Sequence, residues 1–356
     1  MKLPLVFLIL FLTFETFAKP LVIAHRGASG YLPEHTLEAK AMAVAMGSDY
    51  VEQDVVMSKD GELIVFHDLV LDRVTNVAEV FPNRHRKDGR FYVIDFSLSE
   101  LRQLRVTEGR KLDGETSTQI YPERFPQQRS RFSIHTLSEE IELIQGLNHS
   151  MKKTVGIYPE IKSPWFHQKE GQDISSAVLM VLKKYGYTDK HSKVLLQSFD
   201  ANELRRIRFE LLPKLKMDIQ LIQLVAYTDW QETKTFENGE WVNYDYEWMF
   251  SESGLRLIKS YADGIGPWYP MLVTQESTDS QMRVSNWMRS AKNIGLLVHA
   301  YTFRSDSGQV PSSFETFAEY VRFYNESVGV DGYFTDFPDQ VIDALINDKN
   351  VLKAKH

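Results

Sequence analysis

Three short clusters near the start of the chain combine residue types able to do acid–base and metal chemistry: His25-Arg26-Gly27, Glu52-Gln53-Asp54 and His67-Asp68. In an extended strand alternate side chains share a face, so Glu52 and Asp54 project together while Gln53 points away. Two carboxylates on one face can hold a hard cation. Between Asp54 and His67 lie two apolar runs around Asp60-Gly61, a strong hairpin signal. Folding that hairpin returns His67 to the level of Asp54, so the carboxylate pair, His25, His67 and Arg26 converge. The set suits cleavage of a phosphate ester: cation and arginine answer the oxyanions, and the histidines move protons.

The elements that must carry these residues read as alternating strands and helices. Strand patterns cover Leu21 to His25, Tyr50 to Val56, Leu63 to His67, Val155 to Lys162, Val194 to Phe199, Ile219 to Ala226, Ala262 to Gly266, Leu296 to Phe303 and Asp331 to Asp336. Amphipathic helical patterns lie between most of them, among them Thr36 to Met46, Leu137 to Leu147, Ile174 to Tyr185 and Asn202 to Leu212. The strand after Asp60-Gly61 must run antiparallel to its predecessor, which leaves eight for a parallel set. Eight such units make an α/β fold of the (β/α)8 TIM-barrel type, usually about 250 residues long. The surplus falls at about residues 69–133, which carry turn residues and little helical period, and reads as an insertion after the second strand and its hairpin. Thr136 or Ser138 is the expected N-cap of the helix that follows, with Glu139 and Glu140 in its first turn.

Composition narrows the classes. The chain has 356 residues, 43% hydrophobic and 25% charged, ordinary for a globular protein with a large core. There is no cysteine, which excludes disulfides, thiol catalysis and a thiolate metal site. A net charge of -7 argues against nucleic acid as a partner. The basic run Arg84-His85-Arg86-Lys87 reads as a solvated loop. Residues 1–18 carry the basic, apolar and small-residue regions of a signal peptide, with cleavage expected after Ala18 and a periplasmic or secreted product without a stable membrane anchor.

His25-Arg26-Gly27-Ala28-Ser29-Gly30, Pro33-Glu34-His35-Thr36, Glu52-Gln53-Asp54, Lys59-Asp60-Gly61 and His67-Asp68 together resemble the glycerophosphodiester phosphodiesterase family, in its bacterial periplasmic type. Tyr158-Pro159-Glu160-Ile161-Lys162, Gln197-Ser198-Phe199-Asp200, Ala226-Tyr227-Thr228-Asp229-Trp230 and Phe334-Thr335-Asp336-Phe337-Pro338 extend the likeness along nearly the whole chain. The resemblance implies hydrolysis of deacylated phospholipids, such as glycerophosphocholine and glycerophosphoethanolamine, to sn-glycerol 3-phosphate and an alcohol. It also implies that the 69–133 insertion is a small domain capping one side of the cleft.

Working residues of such a barrel lie at the C-terminal ends of its strands. Glu160 and Lys162 alternate as Glu52 and Asp54 do, which makes Glu160 the expected third metal ligand and sets Lys162 near a substrate phosphate or hydroxyl. His25, His67 and Arg26 are the catalytic candidates, and which histidine is acid and which base stays open. Arg26, Lys162, Gln197, Phe199 and Tyr301 are the substrate-binding candidates, with Phe199 and Tyr301 as walls of a glycerol pocket. His299 shares a face with Tyr301 at a strand end. All-oxygen ligation favours one Ca ion, with Mg as the second choice, over zinc. His35 stands where the family commonly has asparagine and reads as a loop-ordering or substrate-adjacent group. His85, His135, His149, His167, His191 and His356 read mostly as solvated or helix-associated. The aromatic segment Tyr227 to Phe250 fits either a self-packed Ω-loop or a wall over the non-glycerol end of the substrate. Two rival readings are a retaining glycosidase using Glu52 and Glu160, which leaves the histidines without work, and a non-catalytic surface binding protein or adhesin on the same fold.

Overall fold

The computed structural model describes residues 19–113, 116–275 and 282–353. The expected signal peptide and His356 lie outside the described residues. One nine-stranded sheet organises the chain: β1 (Leu21–Ala24), β2 (Tyr50–Met57), β3 (Leu63–Val65), β4 (Gly156–Ile161), β5 (Leu195–Ser198), β6 (Gln220–Val225), β7 (Gly264–Pro267), β8 (Leu297–Phe303) and β9 (Gly332–Thr335). The strands are ordered β1-β9-β8-β7-β6-β5-β4-β2-β3. β1 also pairs in parallel with β2, closing eight parallel strands into a (β/α)8 barrel. Only β3 is antiparallel, joined to β2 through a turn with Gly61 at φ 84°.

All eight residues of β2 are buried, because the outer face meets helices and the inner face meets the barrel interior. That interior is plugged by Ile23, Tyr50, Tyr158, Leu195, Ile222 and Phe334, side chains from successive strands. His299 belongs to this plug and not to the mouth: it is fully buried, and its Nδ1 lies 2.9 Å from the Tyr158 hydroxyl. The first helix, α1 (Leu37–Met46), starts where Thr36 accepts from the Ala39 amide and stops at Gly47, whose φ of 99° suits glycine. The helix after the excursion, α2 (Leu137–Met151), opens with a capping box between Thr136 and Glu139, which settles the N-cap on Thr136. The helix expected from Asn202 to Leu212 begins one residue earlier and breaks into a π turn at Ile207–Leu211. Pro213 lies two residues past that turn, in the short α-helical stretch Leu212–Leu215, and having no amide it leaves a gap in the ladder.

Between β3 and α2 the chain packs around an apolar cluster of its own, which includes Leu71, Val77, Phe96, Leu101, Leu104 and Val106. The basic run there is not a merely solvated loop. Arg84 pairs with Glu100 at 2.7 Å, and Arg86 pairs with Asp95 at 2.7 Å and Glu170 at 2.9 Å, with the Arg86 guanidinium 4.3 Å from the Tyr92 ring centre. Planar guanidinium groups that chelate and stack tie the excursion to the barrel, a role that composition alone does not reveal.

Candidate active site

A cleft of about 260 Å³ opens at the C-terminal ends of the barrel strands. His25, Arg26, Glu52, Asp54, His67, Glu160, Lys162, Gln197, Phe199 and Tyr301 all line it, so every sequence-derived site residue is brought together. Register explains the convergence. Asp54 stands directly opposite Glu160, and Glu160 opposite Gln197, so three neighbouring strands contribute one row. Antiparallel pairing of Val55 with Val65 brings Phe66 onto the Asp54 carbonyl, and His67 follows at the mouth.

The turn after β1 is built for close approach. Gly27 has φ 89°, and a Cβ there would lie 2.8 Å from the Ala39 backbone, so only glycine fits. Arg26 also takes a left-handed conformation, φ 58°, which aims its amide at Glu52 Oε2, 2.6 Å away. Its guanidinium donates to Glu34 at 3.0 Å, with Nε 3.6 Å from Asp54.

Each cleft histidine is held from behind by a carboxylate. His25 Nδ1 lies 2.6 Å from Asp336 Oδ1, and His67 Nδ1 lies 2.5 Å from Asp68 Oδ1. With Nδ1 committed as the donor, Nε2 is the nitrogen left to face the cleft that both rings line. Burial, reinforced by Arg26, lowers the His25 pKa to about 4, so the ring is neutral at neutral pH. Burial lowers His67 as well, with Arg26 and Lys162 adding to the effect.

Asp54 carries the acid cluster. Its Oδ2 receives His35 Nε2 at 2.7 Å, while its buried Oδ1 has no hydrogen-bond partner among the described residues. Potential ligand atoms of His35, Glu52 and Asp54 lie within 4.8 Å of one another. Burial, and then the Asp54 charge, push Glu52 well above the usual carboxylate range. Burial drives Glu160 up to about 8, although Lys162 sits 2.9 Å away. Burial opposes ionisation of Asp54 too, but Lys162, His67 and His35 outweigh it and hold its pKa well below the usual value. Crowded buried carboxylates, one with an orphaned oxygen, are what a cation site requires.

His35 is better placed to orient than to ligate. Its Nδ1 faces the ammonium of fully buried Lys40 at 3.2 Å. An ammonium only donates, so the imidazole proton resides on Nε2 and is given to Asp54. Lys40 is anchored in turn by the Glu52 carbonyl and by Glu140, 3.2 Å away, and Glu140 also binds Gln53 and His135. Gln53 thus points outward, as strand alternation requires.

The other candidates divide by role. Gln197 is buried with Oε1 unpartnered. Phe199 and Tyr301 meet edge to face at 6.2 Å, and the Tyr301 hydroxyl donates to the Val225 carbonyl at 2.6 Å, so its ring is what the cleft receives. Of the aromatic segment, only Trp230 and Glu232 reach the cleft, beside Trp268. Trp241 instead packs on Trp165 and Phe236. Sequence reasoning passed over Asp336, Arg304, Trp268 and Glu232. Asp336 alone had a signal, as a polar residue ending an apolar strand.

The model of the Glycerophosphoryl diester phosphodiesterase family matches residues 25–340. The chain belongs to that family. A Haemophilus influenzae protein named glycerophosphodiester phosphodiesterase is 51% identical over 91% of this chain and 89% of its own length. One of the same name from Treponema pallidum is 45% identical over 90% of each. Among solved structures, a phosphodiesterase from Oleispira antarctica in complex with the product sn-glycerol-3-phosphate shares the fold at TM-score 0.58 and 23% identity, over 92% of this chain and 97% of that one. A putative family member from Silicibacter pomeroyi superposes at TM-score 0.64 with 22% identity, over 92% of this chain and 94% of that one. The chain is therefore an enzyme of the glycerophosphodiester phosphodiesterase class, and the glycosidase and adhesin readings fall away.

Proposed function

We propose that this enzyme hydrolyses deacylated phospholipids such as glycerophosphocholine and glycerophosphoethanolamine, releasing sn-glycerol 3-phosphate and the free alcohol. The observation that carries this reading is the pair of carboxylate-anchored histidines in one cleft with Arg26, Lys162 and three buried acids. Glu52, Asp54 and Glu160 would hold one divalent cation, with His35 fixing the Asp54 carboxylate. The oxygen-only donor set favours Ca, then Mg, over zinc. When bound, such an ion supplies charge neutralisation at the phosphate oxygens and acidifies an oxygen nucleophile.

The chain's own groups do the rest. Arg26 and Lys162 oppose the charge that develops on the phosphate as the ester bond breaks. One histidine, neutral, takes the proton of the attacking hydroxyl at Nε2, and the other, entering the step as the doubly protonated imidazolium, gives its Nε2 proton to the leaving alkoxide. Phe199 and Tyr301 offer ring faces to the glycerol carbons. Export rests on the signal-peptide pattern of residues 1–18.

The test is regiochemical. Purified enzyme given glycerophosphocholine and the cation should yield sn-glycerol 3-phosphate and choline. Phosphocholine plus glycerol as the products would sink the proposed orientation.

A further inference from the structure

Among the described residues, none that lines the cleft comes from the 69–133 excursion, although that segment reaches Asp68 and Asp336 behind the mouth. Its contribution lies behind the histidines. Arg73 Nε donates to Asp68 Oδ2 at 2.7 Å, the oxygen not used by His67. Arg124 Nη2 donates to Asp336 Oδ2 at 2.6 Å, the oxygen not used by His25. Both dyads thus end in an arginine of the same excursion.

Each arginine is itself locked. Arg73 grips both oxygens of Glu34, which also receives Arg26 at 3.0 Å. The Arg124 side chain is 6% exposed, is held bidentately by Asp306 at 2.8 and 2.6 Å, and donates to the Ser29 carbonyl at 3.1 Å. Tyr121 lies under its guanidinium at 3.9 Å. A carboxylate that spends one oxygen on a fixed guanidinium can offer the other in one direction only, and so presents a single acceptor to one imidazole nitrogen.

We propose that the excursion is a positioning element for catalysis, in which Arg73 and Arg124 fix Asp68 and Asp336 and through them the tautomer and aim of His67 and His25. The inference rests on the proposed roles of the two histidines. Arg73 and Arg124 touch no reacting atom. They set the geometry in which both Nε2 atoms face the phosphate at once, and displacement of a reacting group by about 1 Å is enough to lose on the order of a hundredfold in rate.

The charged surroundings differ, which makes the two arms separable. His25 faces Asp336, Arg26 and Arg304, whereas His67 faces Asp68, Arg26, Lys162 and Asp54. Asp336 keeps Arg304 at 2.8 Å when Arg124 is lost, while Asp68 loses with Arg73 its one arginine partner among the described residues. Removing Arg73 should therefore do the greater damage.

The experiment compares wild-type enzyme with Arg73→Gln, Arg73→Lys, Arg124→Gln and Arg124→Lys, with the cation present and glycerophosphocholine as substrate. Expected are kcat losses on the order of ten- to a hundredfold with KM within about threefold. Each glutamine variant should move one limb of the pH profile, a different limb for each arginine, and each lysine variant should be intermediate, since it keeps charge but loses the fork. Nitrogen-15 spectra of labelled histidine supply a readout independent of turnover. At a pH where both rings are neutral, His25 and His67 of the wild type should be single Nδ1–H tautomers, and each glutamine variant should turn its own histidine into a mixture. Folded variants with kcat within twofold of wild type would overturn the proposal. So would lower kcat with unmoved pH limbs and unchanged tautomers, which is the mark of a merely structural role. Wild-type enzyme without phosphodiesterase activity but with the tautomer changes would leave the positioning device standing and remove the proposed reaction instead.

Discussion

Glu108 should make this enzyme lose stability as the pH rises, and Glu108→Gln should abolish that dependence. The residue lies in the excursion, 5% exposed, with Oε2 lacking a hydrogen-bond partner among the described residues. Burial raises its pKa from 4.5 to about 8, with Glu34 and Asp336 adding to the rise and Arg124 opposing it. Between those values the folded protein keeps a proton that the unfolded chain has released. The contribution to stability is therefore intact below pH 4.5 and is lost as the pH climbs through about 8. At ~1.4 kcal/mol per pH unit the interval sets a ceiling of ~4.8 kcal/mol, and relaxation around the ionised group reduces this to on the order of 2–3 kcal/mol. Glutamine fills the same space without titrating. Urea unfolding at pH 5 and pH 8.5 should show the variant gaining on wild type by that amount at the higher pH. A stability difference equal at both pH values within about 0.5 kcal/mol would refute the reasoning.

His25→Ala and His67→Ala should each lower kcat by on the order of 10² to 10⁴ with the fold intact, while exposed His149→Ala stays near wild type, all read from steady-state kinetics. Lys40→Met should cost about 3–5 kcal/mol by leaving Glu140 buried without its cation, and Lys40→Met with Glu140→Leu should recover most of that loss in a double-mutant cycle. Glycerophosphocholine, glycerophosphoethanolamine and glycerophosphoglycerol should differ in kcat/KM by no more than about tenfold, with intact phosphatidylcholine uncut. A wider spread, or cleavage of the diacyl lipid, would show that contacts to the glycerol do not govern the reaction.

The barrel was legible because its strands are buried on both faces and so are largely apolar, as in Leu21–Ala24, with charged residues such as Glu160 and Lys162 toward their C-terminal ends. The same contrast exposed His25, Glu52, Asp54, Glu160 and Lys162. Partners supplied from far along the chain were not legible. Asp336 meets His25 across 311 positions, and Arg124 meets Asp336 across 212, so neither pairing has a local period or spacing to betray it. Lys40 sits in an ordinary helical pattern, and only the closed barrel shows that its ammonium lies beneath the acid cluster. His299, whose place among strand-end residues left packing as the plain reading, lies in the barrel plug, because a strand-end position does not reveal how deep in the barrel that level falls.

The central claim is a cation-dependent diesterase at Glu52, Asp54 and Glu160, and its most direct test is sn-glycerol 3-phosphate release from glycerophosphocholine by metal-stripped enzyme. Turnover should vanish on chelation, return with added Ca or Mg, and fail to return in Glu52→Gln, while the ion raises the melting temperature of wild type only. Full turnover by metal-free enzyme, or restoration of Glu52→Gln at the wild-type ion concentration, would contradict it.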